Sequence, residues 1–355
     1  MSRIAAVAPA VPEHRYDQAT ITDAFAALVL PGGSDERVLR RLHAATGVRT
    51  RHLALPLEAY RDLGGFGAAN DAFIEVATRL GGQAVTDALT QVGLRPDDVD
   101  LLMVTSITGI AAPSLDARLV PVLGLRPDVK RVPVFGLGCV AGAAGIARVH
   151  DHLRGDPDGV AVLLSVELCS LTVQRDDDSL PNLVASGLFG DGAAAVVMVG
   201  ERRAEALGLT DRVQVVASRS RLYPDTERVM GWDVGGSGFR IVLAASVADV
   251  VEEHLGDDVR GFLEEHDLKT ADLTRWVAHP GGPKVLHAMR RALGAAEDAF
   301  ASTWRSLAEV GNLSSASVLH VLAATLAGPR PARGASGLLL AMGPGFCSEL
   351  VLLRW

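Results

Sequence analysis

One cysteine stands where an apolar run meets a stretch of small residues. Residues 131–135 are typical of a short strand, and the small residues 141–145 lead into apolar residues at helical spacing. Cys139 is therefore predicted at the start of a helix, where free backbone N–H groups and the helix dipole favour a thiolate. This position suits a nucleophile. A free cysteine at a tight turn is also commonly a small buried hydrophobe, and both interpretations stand at this point.

Two polar residues in the second half occupy comparable transitions. His279 follows the apolar residues 276–278 and precedes Pro-Gly-Gly-Pro, so we expect it in an exposed turn at a strand end, where α/β folds carry chemistry. Asn312 stands at the predicted start of a helix, where a capping role would also explain it. Together the three types can share one mechanism: the histidine takes the thiol proton, the thiolate attacks an acyl carbon, and the His and Asn N–H groups stabilise the negative charge. Cysteine proteases use the same three types, so the trio does not define the reaction.

Strand-like and helix-like segments alternate along the whole chain, which indicates an α/β fold. Buried strands are predicted over 101–105, 161–166, 193–199, 213–217, 276–278, 337–342 and 350–353. Helices are predicted over 84–92, 242–265, 285–293 and 315–326. Each half has one helix that follows a glycine-bearing turn, and the polar stretch 200–210 is the predicted boundary between the halves.

Composition restricts the class of protein. A chain of 355 residues with 48% hydrophobic residues can form two cores or one large duplicated core. The net charge of −8 argues against nucleic acid as a partner, and no stretch approaches the ~18 apolar residues of a membrane-spanning helix. Three cysteines do not suggest a disulfide framework, so we expect a free thiol in a reducing cytoplasm.

Five motifs occur in a fixed order along the chain. They are Gly138-Cys139-Val140-Ala141-Gly142, Leu188-Phe189-Gly190-Asp191-Gly192-Ala193-Ala194, His279-Pro280-Gly281-Gly282-Pro283-Lys284, Gly311-Asn312-Leu313-Ser314-Ser315-Ala316-Ser317 and Gly343-Pro344-Gly345. In this order they resemble the type III polyketide synthases, the chalcone synthase superfamily. The related ketoacyl-ACP synthases III share the Cys-His-Asn logic but do not typically carry the third and fifth motifs. The resemblance implies a thiolase fold with a duplicated αβαβα arrangement, halves 1–205 and 206–355, and a homodimer that acts on acyl-CoA and malonyl-CoA.

The resemblance also implies roles for individual residues. Cys139 would carry the growing acyl chain, while His279 and Asn312 would bind the thioester oxygen and promote malonyl decarboxylation. Phe189 and Phe239 resemble the family's two gatekeeper aromatics between the CoA tunnel and the cavity. The loop Gly343, Pro344 and Gly345 would border the site, and Arg41 is a candidate for the CoA phosphates, although a surface arginine is commonly just solvated. No metal and no organic redox cofactor is expected, because loss of carbon dioxide drives the condensation.

The predicted cavity residues differ from the plant pattern. Cys169 and Thr172 fall on a cavity-lining segment, with Cys169 where plant chalcone synthases have threonine, and Ala112 replaces the usual methionine in a loop that reaches across the dimer. Together with a resemblance of residues 230–236 to bacterial alkylresorcinol and alkylpyrone synthases, these small residues predict a medium or long fatty acyl-CoA starter. One alternative is a tetrahydroxynaphthalene-type synthase that starts from malonyl-CoA; such enzymes share the cysteine at 169 but usually have another where Ser106 stands. A binding protein on an inactive thiolase fold and a thiol hydrolase are the remaining alternatives.

Overall fold

The computed structural model describes residues 1–30 and 36–355. Its strands are β1 (Ser2–Ala10), β2 (His14–Asp17), β3 (Thr50–Leu53), β4 (Leu101–Thr105), β5 (Lys130–Val134), β6 (Val160–Leu168), β7 (Asp191–Gly200), β8 (Val213–Leu222), β9 (Met230–Gly235), β10 (Gly238–Leu243), β11 (Leu273–Ala278), β12 (Ser336–Gly343) and β13 (Cys347–Arg354). Its helices are α1 (Gln18–Val29), α2 (Glu36–Ala45), α3 (Phe66–Thr90), α4 (Leu115–Leu123), α5 (Ala141–Gly155), α6 (Leu180–Leu188), α7 (Glu201–Ala206), α8 (Val247–Glu264), α9 (Pro283–Leu293), α10 (Ala301–Val310) and α11 (Ser317–Ala327).

Alternate side chains of each central strand enter two different cores. On β6, Val162 and Leu164 pack with α3, whereas Ala161 and Leu163 pack with α5. This follows from the strand geometry, in which successive side chains point to opposite faces. Because both faces are covered by helices, the first five residues of β6, 160–164, are a continuous apolar run, and this is why the sequence predicts the strand.

The second half repeats this arrangement. On β12, Leu338 and Leu340 pack in a core with α8 and α9, whereas Leu339 and Ala341 share the central core with α5 and α11. The layers are therefore α3 and α4, a first group of strands, the central pair α5 and α11, a second group of strands, and α8 and α9. The predicted αβαβα thiolase fold is confirmed.

The main sheet joins the two groups of strands in the order β11-β12-β13-β8-β1-β7-β6-β4-β5. The parallel neighbours β11 and β12 bring the loop after Ala278 close to the end of β12, and β5 forms the outer edge of the first half. The helix predicted over 242–265 is partly wrong: Val242 and Leu243 complete the β9–β10 hairpin by pairing with Gly231 and Met230, and α8 begins only at Val247. Across residues 1–30 and 36–355, no helix is long and apolar enough to cross a membrane.

Candidate active site

Cys139 lies in a short 3₁₀ turn, Gly138–Val140, that connects the end of β5 to the start of α5. Gly138 adopts a left-handed φ of 55°, a conformation that is unfavourable for residues with a side chain. A Cβ at this position would also lie only 2.7 Å from the Pro344 ring. The cysteine is only 6% exposed, and burial raises the pKa of its thiol to about 12. Burial thus opposes the effect of the helix terminus, so the expected thiolate requires a proton acceptor within the site.

His279 follows β11, as predicted, but the expected exposure is wrong, because the side chain is buried. Its backbone N–H donates to the carbonyl oxygen of Leu340 on β12 (3.0 Å), which fixes the loop against the neighbouring strand. Burial lowers the pKa of the imidazole to about 3, so the ring is neutral at pH 7. Nδ1 of the ring is buried and has no hydrogen-bond partner among the residues the structure covers. A neutral imidazole of this kind can accept a proton from a thiol or donate one N–H to an oxyanion.

Asn312 lies between α10 and α11, and its side-chain oxygen is already occupied. Oδ1 accepts hydrogen bonds from the backbone N–H of Ser314 (2.9 Å) and from the Ser317 hydroxyl (3.3 Å). The oxygen therefore stabilises the turn before α11, but Asn312 is not the helix cap, because the N-cap position of α11 is Ala316. The same two bonds orient the amide, and its NH₂ group has no hydrogen-bond partner within the described part of the chain. The side chain of Asn312 can thus support the turn and still donate to a ligand.

Ser314 joins the asparagine turn to the cysteine. Its hydroxyl lies 3.6 Å from the Cys139 sulfur, and its φ of 48° is in the left-handed region that residues with a side chain seldom adopt. The end of β12 closes the site from another side: a Cβ on Gly343 would lie 3.0 Å from the Val140 nitrogen and 3.3 Å from that of Cys139. Since His279 is bonded to β12 as well, the structure brings the cysteine, histidine and asparagine segments to one place.

Cys139 opens onto a cavity of about 340 Å³. Five other residues singled out from the sequence line this cavity: Phe189, Phe239, Cys169, Thr172 and Pro344. Gly343 and Gly345 flank Pro344 without lining the cavity, and a Cβ on Gly345 would collide with Leu222. His279 and Asn312 are buried and are not among the lining residues of the described chain.

Two residues singled out from the sequence lie away from this cavity. Ala112 is exposed in the turn before α4, and it does not line the cavity of its own chain. Its expected role toward a partner subunit stays a prediction. Arg41 is exposed on α2, so it is free to meet a ligand at the surface but is not part of the cavity wall.

The structure adds polar residues that sequence reasoning did not select. Glu167, in the otherwise apolar strand β6, is fully buried and accepts hydrogen bonds from the Ile107 N–H (3.0 Å) and from the hydroxyls of Thr108 (2.9 Å) and Ser315 (2.5 Å). Burial raises the pKa of this carboxyl despite these bonds. In the sequence, a lone carboxylate within an apolar run was the signal that could have identified Glu167. Its hydrogen bonds connect β6 and the segment after β4 to the turn that carries Ser314.

Comparison with known families matches both halves of the chain. The model of the N-terminal domain of chalcone and stilbene synthases matches residues 1–202, and the model of the C-terminal domain matches residues 214–355. The 1,3,6,8-tetrahydroxynaphthalene synthase of Streptomyces peucetius subsp. caesius is 58% identical over 355 residues, which cover 99% of this chain and 93% of that protein. The alpha-pyrone synthesis polyketide synthase-like Pks18 of Mycobacterium tuberculosis (strain ATCC 25618 / H37Rv) is 30% identical over 98% of this chain and 90% of that protein.

Solved structures agree over nearly the whole chain. The crystal structure of 1,3,6,8-tetrahydroxynaphthalene synthase from Streptomyces coelicolor A3(2), a bacterial type III polyketide synthase, superposes with a TM-score of 0.92 at 31% identity and covers 99% of both chains. That of PKS-I from the brown alga Ectocarpus siliculosus superposes with a TM-score of 0.92 at 27% identity, covering 99% of this chain and 98% of the other.

Proposed function

This chain belongs to the chalcone and stilbene synthase family, whose members are type III polyketide synthases, and we propose that it makes 1,3,6,8-tetrahydroxynaphthalene with malonyl-CoA as both starter and extender. The observation that carries the choice of product is the 58% identity to a tetrahydroxynaphthalene synthase across 99% of the chain. The cavity of about 340 Å³ supports it, because this volume is at the lower end of the roughly 300–1,000 Å³ found for small-molecule sites. A compact aromatic product suits such a space better than a long acyl chain.

The proposed reaction begins at Cys139. Its sulfur attacks the thioester carbon of malonyl-CoA, the thiol proton passes to His279, and CoA leaves as the free thiol after taking that proton. A second malonyl-CoA loses carbon dioxide, and its enolate oxygen accepts hydrogen bonds from His279 and the Asn312 amide. The enolate carbon then attacks the acyl carbon on Cys139. This forms a carbon–carbon bond, expels the cysteine thiolate and leaves the lengthened chain on CoA for return to Cys139.

Carbon accounting fixes the number of steps. Four extensions of a malonyl starter consume five malonyl-CoA, and the ten-carbon product requires the loss of five carbon dioxide molecules, one of them from the starter. Loss of carbon dioxide supplies the carbanion at each extension, so we propose that the chain needs no metal or redox cofactor. Phe189 and Phe239, on the cavity wall, would separate the CoA arm from the growing chain, and Arg41 on the exposed face of α2 would meet the CoA phosphates.

A fatty acyl-CoA starter, which the sequence favoured, is the second candidate. A neighbouring space of about 440 Å³ shares Tyr60, Thr172 and Phe239 with the main cavity, and a long acyl chain could occupy it if these side chains moved apart. The similarity to an alpha-pyrone synthesis enzyme also supports this candidate, at a lower identity of 30%. Ala112 does not line the cavity of its own chain, so any effect that it has on the starter depends on the proposed partner subunit.

We also propose that the enzyme is a homodimer joined through the β5 edge of the main sheet. β5 is the last strand in the sheet order and its side chains are largely exposed. The nearby apolar residues Phe135, Leu137 and Ile110 are exposed as well, and a second copy would cover them. Light scattering of the purified chain tests the dimer, and the Val132→Lys variant should shift it toward monomer.

We also propose that the enzyme works in a reducing cytoplasm, an environment that suits its three free cysteines.

A competition experiment tests the proposed substrate. Purified enzyme receives isotopically labelled malonyl-CoA alone, or with an equal concentration of acetyl-CoA or dodecanoyl-CoA, and the products are identified by mass spectrometry. We expect tetrahydroxynaphthalene from malonyl-CoA alone, with all ten carbons labelled and at most a few per cent diverted by the other starters. Pyrones or resorcinols that carry the dodecanoyl chain as the main products would overturn the proposal in favour of the second candidate.

A further inference from the structure

Arg51, on β3, is a buried cation at the cavity wall. It is 2% exposed and lines the cavity that contains Cys139. Burial lowers the pKa of its guanidinium to about 10, so the group is charged at neutral pH. Within residues 1–30 and 36–355 it forms no salt bridge, and its NH2 group has no hydrogen-bond partner. The buried Asp191 carboxylate lies near enough to raise the pKa of Arg51 but forms no salt bridge with it, so the groups that the guanidinium does contact determine its position.

Those groups belong to the segment that carries the gatekeeper Phe189. The NH1 group of Arg51 donates to the Phe189 carbonyl oxygen (2.6 Å), and its Nε donates to the Gln18 side-chain oxygen (3.0 Å). Gln18 in turn donates to the carbonyl oxygen of Gly187 (2.7 Å). Arg51 and Gln18 together thus hold two backbone carbonyls of one short segment.

The segment that carries Phe189 forms backbone hydrogen bonds with Asn312. The Asn312 N–H donates to the Leu188 carbonyl (2.9 Å), and the Gly190 N–H donates to the Asn312 carbonyl (2.9 Å). The methylene stem of Arg51 fills the space beside this bridge: a Cβ on Gly311 would lie 3.1 Å from its Cδ, and a Cβ on Gly190 would lie 3.5 Å from its Cγ. The side chain therefore packs beside Gly311 and Gly190, the residues next to Asn312 and Phe189.

We propose that Arg51 is a positioning residue for catalysis: it holds the segment of Phe189 in register with Asn312, so that the Asn312 amide points at the forming enolate oxygen. This inference rests on the proposed role of Asn312 in malonyl decarboxylation. A lysine at 51 cannot replace the arginine, because one ammonium on this stem cannot reach both the Phe189 carbonyl and the Gln18 oxygen with the spacing of a guanidinium. Loss of these hydrogen bonds would displace the Asn312 amide but leave it in the site.

The test is a double-mutant cycle in the full-length enzyme. The kcat and KM for carbon dioxide release from malonyl-CoA are measured for the wild type, Arg51→Met, Asn312→Ala and the double variant. We expect Arg51→Met to lower kcat about 10- to 100-fold with KM changed less than threefold, since a misplacement near 1 Å costs about 100-fold. Asn312→Ala should cost 10²–10³. The double variant should be no slower than Asn312→Ala, because Arg51 acts only through that amide.

Two further measurements separate positioning from general damage. The rate of Cys139 alkylation by iodoacetamide should change less than threefold in Arg51→Met, since the cysteine turn is held by other elements. Arg219→Met is the matched control. Arg219 also donates to two backbone carbonyls, those of Asp258 (3.2 Å) and Gly261 (3.3 Å), but both carbonyls belong to α8 and lie away from the cavity. It should keep the wild-type kcat.

Each outcome of these experiments either supports or overturns the positioning role of Arg51 or the proposed role of Asn312. If Arg51→Met does not fold, Arg51→Lys and Gln18→Leu replace it in the cycle with the same expected pattern. Multiplicative losses in the double variant, or a wild-type kcat in all of these variants, would overturn the positioning role. Wild-type decarboxylation by Asn312→Ala would instead overturn the proposed role of Asn312, and the two failures are therefore distinguishable.

Discussion

The close packing of α5 against the asparagine turn can be tested with one methyl group. Gly142 is the second residue of α5, three residues after Cys139. A Cβ at this position would lie 2.3 Å from the carbonyl oxygen of Ser315 and 2.8 Å from the Val318 side chain. Because the nearest atom belongs to the backbone, it cannot rotate away. Moving this contact from 2.3 Å to 3.0 Å, the lower limit for real Cβ contacts, requires a shift of about 0.7 Å.

Such a shift acts directly on the proposed chemistry. Ser315 adjoins Ser314, whose hydroxyl lies 3.6 Å from the Cys139 sulfur, so separating α5 from this turn moves the nucleophile away from Asn312. A misplacement near 1 Å costs about 100-fold in rate, and an extra methyl in a packed core costs about 1–3 kcal/mol. For Gly142→Ala we expect kcat to fall 10- to 100-fold and the free energy of unfolding to fall by about 1–3 kcal/mol.

The same helix supplies the control. Gly155, the last residue of α5, has no atom within 4 Å of an added Cβ. Gly155→Ala should therefore keep the wild-type kcat and stabilise the chain slightly, by up to about 1 kcal/mol. The assay is malonyl-CoA consumption at saturating substrate, with urea unfolding in parallel. A Gly142→Ala enzyme with kcat within twofold of wild type would refute the idea that this contact sets the distance between the nucleophile and the asparagine turn.

Three further predictions concern single side chains. Cys139→Ala should leave a folded chain with no polyketide product by mass spectrometry, because alanine fits the turn but lacks the nucleophile; any product at the wild-type rate contradicts the assignment. Burial lowers the pKa of His43 to about 4, so between pH 6.5 and 4 the unfolded chain binds a proton that the folded chain does not, and stability is lost as the pH falls. His43→Asn should make that loss shallower by up to about 1.4 kcal/mol per pH unit in urea unfolding at pH 7 and 5, and equal slopes would contradict it. Cys169→Phe, on the cavity wall, should give products with fewer malonyl units, and an unchanged product would show that Cys169 does not limit chain growth.

The sequence predicts several central strands well because their signal is local, although it misses β1, which lies between β8 and β7 in the main sheet. β4, β6, β7 and β12 are apolar runs buried on both faces, and each is found within three residues of the predicted bounds at either end. The error at 242–265 has a local cause too. The apolar residues Val242 and Leu243 suit a helix and a hairpin equally, and pairing with β9 decides for the hairpin.

The wall of the site is much harder to predict from the sequence. Arg51, Tyr60, Trp232 and Phe239 come from segments nearly two hundred residues apart, and each is an ordinary residue of its own segment. Phe189 alone would be interpreted as a core aromatic. Only its bridge to Asn312 shows that the proposed gatekeeper and the proposed catalytic amide share one backbone contact. Such pairings depend on tertiary folding and leave no periodic pattern.

Burial of the Cys-His pair has two consequences that work together. It raises the pKa of Cys139 and lowers that of His279, so the resting site favours a neutral thiol and a neutral imidazole. The charged pair is favoured only when the two charges form together, by transfer of one proton from sulfur to nitrogen. The same exclusion of water would protect the proposed Cys139-bound acyl chain from hydrolysis between extensions. In the proposed iterative reaction this protection matters, because every intermediate must survive until the next malonyl-CoA arrives.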